Sequence, residues 1–110
     1  MTLSAQQCSP KRGDADRLSA AQCQSLLAEL PDWSLNADGT AIQRSYRFRD
    51  YAEAMRFAAR VAAMADAQDH HPDLWIRYGA CTVSYNTHDV GGLSINDFIC
   101  AAKADEYYTS

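Results

Sequence analysis

The three histidines of this chain, His70, His71 and His88, fall within nineteen residues and are framed by carboxylates at Asp66 and Asp97. The spacing runs Asp66, three residues, His70-His71-Pro72, five residues, Tyr78, nine residues, His88, eight residues, Asp97. Imidazole and imidazolium are both populated near pH 7, so a site that gathers several histidines can deliver a proton at one atom and remove one from another. Such chemistry needs no cofactor. Each residue also has a plainer reading. A His-His-Pro tripeptide alone is most often a solvated loop, Asp97 answers Ser94 as the third residue of a capping box, and Tyr78 most simply packs on the apolar side of a strand. Asp66 is harder to dismiss. A carboxylate in the last turn of a helix meets the negative end of the dipole and is unfavourable there unless a cation, such as an imidazolium, pairs with it. Three imidazoles and a carboxylate could also hold zinc, although the adjacent His70 and His71 would need strained geometry to share one ion.

The elements that must position these residues follow from periodicity. Ser19 caps a helix in which Cys23, Leu26, Leu27 and Leu30 share one stripe, and Pro31 stops it. Trp33 to Leu35 read as a short strand, followed by the Asp38-Gly39 turn signal. In the next strand Ile42, Tyr46 and Phe48 point one way and Gln43, Ser45 and Arg47 the other, as expected for a sheet with one wet face. Asp50 with Glu53 opens a helix from about Tyr51 to Ala67, whose buried stripe is Ala54, Ala58, Val61 and Ala65, widened by Phe57 and Met64. A third strand carries Leu74, Ile76 and Tyr78 on one side, with Trp75 opposite, either covering the second sheet face or flooring a flat pocket. Gly79 breaks it. A fourth alternates Cys81, Val83 and Tyr85 with Thr82, Ser84 and Asn86. After Gly91-Gly92, Ser94 and Asp97 cap a last helix with Ile95, Phe98, Ile99 and Ala102 on its apolar face. The order α-β-β-α-β-β-α predicts an α+β domain with helices on one face of a four-stranded antiparallel sheet.

That order implies a site. If the third and fourth strands form a hairpin turning near Gly79, the start of one and the end of the other meet at the opposite end of the hairpin. This brings His70, His71 and His88 together, beside Asp97 in the first turn of the last helix. Pro72 biases His71 away from helical angles, so His71 leaves the helix direction and faces outward.

Composition bounds the alternatives. A chain of 110 residues with 47% hydrophobic content makes one domain with one modest core. A net charge of -4 lacks the basic face that phosphate-backbone binding needs, so nucleic acid is not the expected partner. The absence of an apolar run near the ~20 residues of a spanning helix, and a polar N-terminus, point to no membrane and to the cytoplasm. Residues 1–17 have few large apolar groups and read as a flexible tail ahead of a domain spanning 18–110. Cys8, Cys23, Cys81 and Cys100 are scattered without a C-x-x-C pair and read as small buried hydrophobes rather than disulfides or ligands.

The complete spacing resembles the pterin-4a-carbinolamine dehydratase family, whose pattern is an acidic residue, three residues, His-His-Pro, five to an aromatic, nine to His, then a variable gap to Asp. The similarity extends to Asn86-Thr87-His88-Asp89 and Gly92-Leu93-Ser94, and covers about Leu18 to Ala104. Asp66 stands where glutamate is commoner, and Asn96 where many members carry a basic residue. The resemblance implies dehydration of a 4a-hydroxytetrahydropterin to the quinonoid dihydropterin, which recycles the tetrahydrobiopterin of aromatic amino acid hydroxylases. It implies no cofactor and no metal, and a homodimer or homotetramer. By position His70 and His88 match the family's acid–base histidines and His71 the one that holds the pterin, with Asp97 completing the catalytic set. Asp66, Asp69, Pro72, Thr87, Asp89 and Val90 fall with the histidines in the pterin-binding segments. Two other classes stay open: an interaction module, since animal members are dimerisation partners of a transcription factor, and a dehydratase-like protein of molybdopterin metabolism.

Overall fold

The structure, a computed structural model, describes residues 2–108, so Met1 of the expected tail and Thr109 and Ser110 of the expected domain lie outside the described residues. Ser19 accepts from the Gln22 amide and Gln22 reaches back to Ser19, a full capping box that starts α1 (Ala20–Leu27). Strands β1 (Ser34–Leu35) and β2 (Ile42–Arg47) follow, then α2 (Tyr51–Gln68), β3 (Asp73–Arg77), β4 (Ala80–Tyr85) and α3 (Ile95–Glu106). The sheet is antiparallel throughout, in the order β1-β2-β4-β3. The expected α+β architecture is the one observed.

Alternation decides which sheet face is dry. Ile42, Tyr46, Cys81, Val83 and Tyr85 are buried on the helical side, against Phe57, Val61 and Met64 of α2 and Phe98, Ile99 and Ala101 of α3. Each large side chain so buried contributes about 1.5–3 kcal/mol. Gln43, Ser45 and Arg47 remain on the wet face, and Trp75 joins them half-exposed, away from the cleft that holds the histidines. At the end of the sheet far from the histidines, Asp105 of α3 accepts from Trp33 Nε1, Arg44 and the Tyr46 hydroxyl, which ties α3 to β2.

Two expectations change. Tyr78, expected on the apolar side of β3, is 77% exposed. The strand ends at Arg77, which pairs with Ala80, so Tyr78 and Gly79 form the hairpin turn, with Gly79 at φ 75°. Of residues 2–17, expected as a flexible tail, residues 3–9 instead pack along α3, and Gly13 and Arg17 bond the carbonyls of Asp89 and Val90 in the turn after β4. Leu3 is buried in the core, Lys103 donates to the Ser4 carbonyl, and Asn96 holds both the amide and the carbonyl of Ser9. One apolar anchor and several long-range polar contacts supply what the local composition lacks. Among the described residues no helix is long and apolar enough to cross a membrane.

Candidate active site

The end of α2 aims the first histidines. The Asp69 amide donates to the Asp66 carbonyl and the His70 amide to the Ala65 carbonyl, the paired bonds of a Schellman ending. Asp69 occupies the left-handed position at φ 51°, where glycine is the usual residue and Asp one of the few tolerated. The chain therefore turns sharply at Asp69, and His70 and His71 point to different partners before Pro72 leads into β3. The hairpin then closes the site as expected. Asp73 pairs with Ser84, so the start of β3 lies beside the end of β4. Beyond β4, Thr87 bridges Gly92, and the loop between them winds into a single 3-10 turn, His88–Val90.

His70 Nε2 lies 2.6 Å from Asp97 Oδ1, with the His70 side chain 12% exposed and Asp97 at 0%. Asp97 Oδ2 accepts from the Thr87 hydroxyl at 2.7 Å and from the Ser94 amide at 3.0 Å, and Thr87 and Ser94 share a further contact at 2.8 Å. A carboxylate can only accept, so Nε2 carries the proton toward Asp97 and Nδ1 is the ring nitrogen left for a ligand. The His70 ring stacks on Tyr85 at 5.4 Å, which fixes its plane. Burial alone would push the His70 pKa down. The hydrogen bond and charge of Asp97, with Cys8 and Asp69 adding, outweigh it and hold the pKa above 6.5.

His71 Nε2 meets Asp66 Oδ1 at 2.8 Å, but this pair is exposed, at 57% and 80%. The side chain that meets Asp66 at the negative end of the helix is therefore His71. The His88 imidazole has no carboxylate partner among the described residues. Asp97 is both the third residue of the α3 capping box with Ser94 and the hydrogen-bond partner of His70.

All three histidines line one cleft of about 420 Å³, a volume suited to a small molecule. Asp69, Thr87 and Asp89 line it too, whereas Asp97 stands behind His70, Asp66 outside beside His71, Pro72 at the foot of β3, and Val90 buried beneath the loop. Sequence reasoning missed an entire wall. Cys8, Ser9, Pro10, Lys11 and Arg12 line the cleft together with Gln68, Asn86 and Asn96. The signal for it was Asn96, the departure from the family pattern, whose side chain clamps Ser9. Adjacent His70 and His71 are committed to separate carboxylates, and the described residues hold no cluster of three or more His, Cys, Asp or Glu groups arranged for a metal ion.

Fold and cleft define a class: a small α+β domain in which a β-hairpin gathers imidazoles at one end, backed by a capped carboxylate. The family model for pterin 4 alpha carbinolamine dehydratase matches residues 16–107, and the chain belongs to that family of dehydratases, which are lyases. It is 46% identical over 101 residues to a protein of Xanthomonas campestris pv. campestris (strain B100) named "Putative pterin-4-alpha-carbinolamine dehydratase", covering 92% of this chain and 86% of that one. A protein of the same name from Stenotrophomonas maltophilia (strain K279a) is also 46% identical, with 92% and 87% covered. Among solved structures, the transcriptional coactivator/pterin dehydratase from Brucella melitensis superposes with a TM-score of 0.81 at 30% identity, covering 84% of this chain and 99% of that chain.

Proposed function

We propose that this cleft dehydrates a 4a-hydroxytetrahydropterin to the quinonoid dihydropterin by histidine acid–base catalysis. The observation that carries the reading is the buried His70–Asp97 pair, which favours the imidazolium form at the cleft wall. His70 gives its Nδ1 proton to the hydroxyl on the 4a carbon, and the C–O bond breaks to release water. The N5 lone pair forms the new double bond to that carbon. His88, lining the same cleft without a carboxylate at its ring, takes the N5 proton. Returning that proton to His70 through solvent closes the cycle. Each positioned acid or base contributes on the order of 10²- to 10⁴-fold. His71 holds the pterin with the backbone of residues 70–72 and 87–90, and Asp66 fixes the His71 ring.

The reaction so catalysed regenerates the pterin cofactor of aromatic amino acid hydroxylases, and the cytoplasm is the compartment this reading assigns. The exposed edge of β3 invites pairing with a second copy, so a homodimer or a dimer of dimers is expected. Light scattering that gave only a 12.2 kDa monomer at micromolar concentration would count against that assembly. The direct test of function follows a freshly generated carbinolamine by stopped-flow absorbance with and without the protein. Dehydration faster than in buffer, unaffected by a chelator, is the expected result; a rate equal to buffer overturns it. A second reading, a transcriptional partner without catalysis, is favoured by the Brucella melitensis protein's description as a coactivator. Pterin binding without turnover would put it first.

A further inference from the structure

The N-terminal wall of the cleft carries a sulfur contact that acid–base dehydration does not use. Hydrogen bonds bracket Cys8: its own amide donates to Gln68 Oε1 at 2.8 Å, and Asn96 holds the Ser9 carbonyl at 2.7 Å and the Ser9 amide at 3.3 Å. They place the Cys8 sulfur 3.5 Å from the sulfur of Cys100 on α3. All four cysteines are free thiols, and the other two, Cys23 and Cys81, are buried. The two thiols in contact differ in character. Cys8 lines the cleft and is reachable through it, and its pKa is drawn below the ordinary thiol value, first by the hydrogen bond from Cys100, against the opposing effect of burial, and then by the charges of His70 and Lys103. Cys100 is fully buried, and the contact with Cys8 together with burial pushes its pKa up. A nucleophilic, accessible thiol therefore sits against a thiol that only its partner can reach.

We propose that Cys8 and Cys100 are a redox-modifiable pair whose disulfide fastens the N-terminal wall of the cleft to α3. The oxidant is a hydroperoxide, of which hydrogen peroxide is the simplest. The Cys8 thiolate attacks one peroxide oxygen, the O–O bond breaks, and the departing hydroxide is protonated to water. Cys8 is then a sulfenic acid. The Cys100 sulfur attacks the Cys8 sulfur, the S–O bond breaks, and the Cys100 proton leaves with that hydroxyl as a second water. Two thiols are oxidised and one peroxide is reduced. Bond formation needs the sulfurs to close from 3.5 Å to about 2.05 Å. The wall can supply this movement, because Gln7, Ser9, Pro10 and Arg12 are exposed and the segment is held by a few polar contacts. With the thiols free, such a segment opens locally at low cost; the disulfide removes that opening.

The test treats the protein with hydrogen peroxide or with dithiothreitol, then counts thiols after denaturation, maps peptides and measures hydrogen exchange at the amides of Cys8, Ser9, Lys11 and Arg12. The expected result is loss of two of the four thiols with a mass decrease of two hydrogens and a peptide linking Cys8 to Cys100. Exchange at those amides should slow by about tenfold or more. Dithiothreitol should reverse every change, and Cys8→Ser should abolish them while keeping its three remaining thiols. Four surviving thiols, a link between two copies, oxidation only to sulfinic acid, or a link that leaves exchange unchanged would each overturn the proposal. None of these measurements uses pterin or turnover, so their failure is distinguishable from failure of the dehydratase reading.

Discussion

His70 and His71 are adjacent in the chain, and each holds a carboxylate through Nε2, yet the two pairs lie in opposite environments. The inner pair, His70 with Asp97, is almost dry, and Asp97 has two further donors fixing its other oxygen. The outer pair, His71 with Asp66, stands in solvent at a helix end. An exposed pair of this kind is worth roughly 0–1 kcal/mol, because water and salt screen it and two side chains must be ordered to make it. A buried one acts differently: removing one partner leaves an uncompensated charge at a cost of about 3–5 kcal/mol. Similar distances therefore say little about roles. The inner pair can hold a proton in place for chemistry, and the outer pair can only orient a ring.

Substitutions ordered by expected effect sharpen that contrast. Asp97→Ala should cost about 3–5 kcal/mol in urea denaturation, since it removes the α3 cap and leaves His70 Nε2, the Thr87 hydroxyl and the Ser94 amide without their buried acceptor. Asp97→Asn keeps the shape and isolates the charge. Next, His70→Ala should lower turnover on the carbinolamine by about 10²- to 10⁴-fold with a smaller change in pterin affinity, read from kcat against KM. Thr87→Val removes one donor from Asp97 and leaves the Ser94 hydroxyl short of a partner, at about 1–3 kcal/mol. By making Asp97 a stronger acceptor it should also move the alkaline limb of the rate profile to higher pH. Asp66→Ala should change stability by about 1 kcal/mol or less; a loss as large as that of Asp97→Ala would erase the distinction between the pairs.

Proton linkage gives an independent check. The His70 pKa is higher in the folded chain than its unfolded value of 6.5. Its contribution to stability is thus fully present below about pH 6.5 and is lost as pH rises through the raised folded value. Denaturation midpoints of the native protein should show that loss on the alkaline side, and Asp97→Asn should flatten it.

Much of the site was legible because local rules converge on it. The buried stripes of α2 and α3, the alternation of β4 and the Ser94–Asp97 cap each follow from short-range pattern, and the hairpin argument then brings the histidines to one end. What escaped depends on long-range or atypical features. Asp69 ends α2 in a left-handed conformation that normally announces itself with glycine, so the sharp delivery of His70 had no sequence signal. Tyr78 continues the apolar alternation of β3 but falls in the turn, since register with β4 closes at Arg77 and Ala80. The wall formed by residues 8–12 is held by Gln68 and Asn96, partners 60 and 87 positions distant from Cys8 and Ser9, which no local composition reveals.

Single-turnover dehydration of a 4a-hydroxytetrahydropterin by the His70→Ala/His88→Ala double variant, on protein shown to be folded and to bind pterin, tests the acid–base assignment most directly. The expected result is pterin binding tight enough to saturate the cleft, with a dehydration rate at least about 10²-fold below that of the native protein. A rate close to the native one would contradict it and remove the histidines from the chemistry.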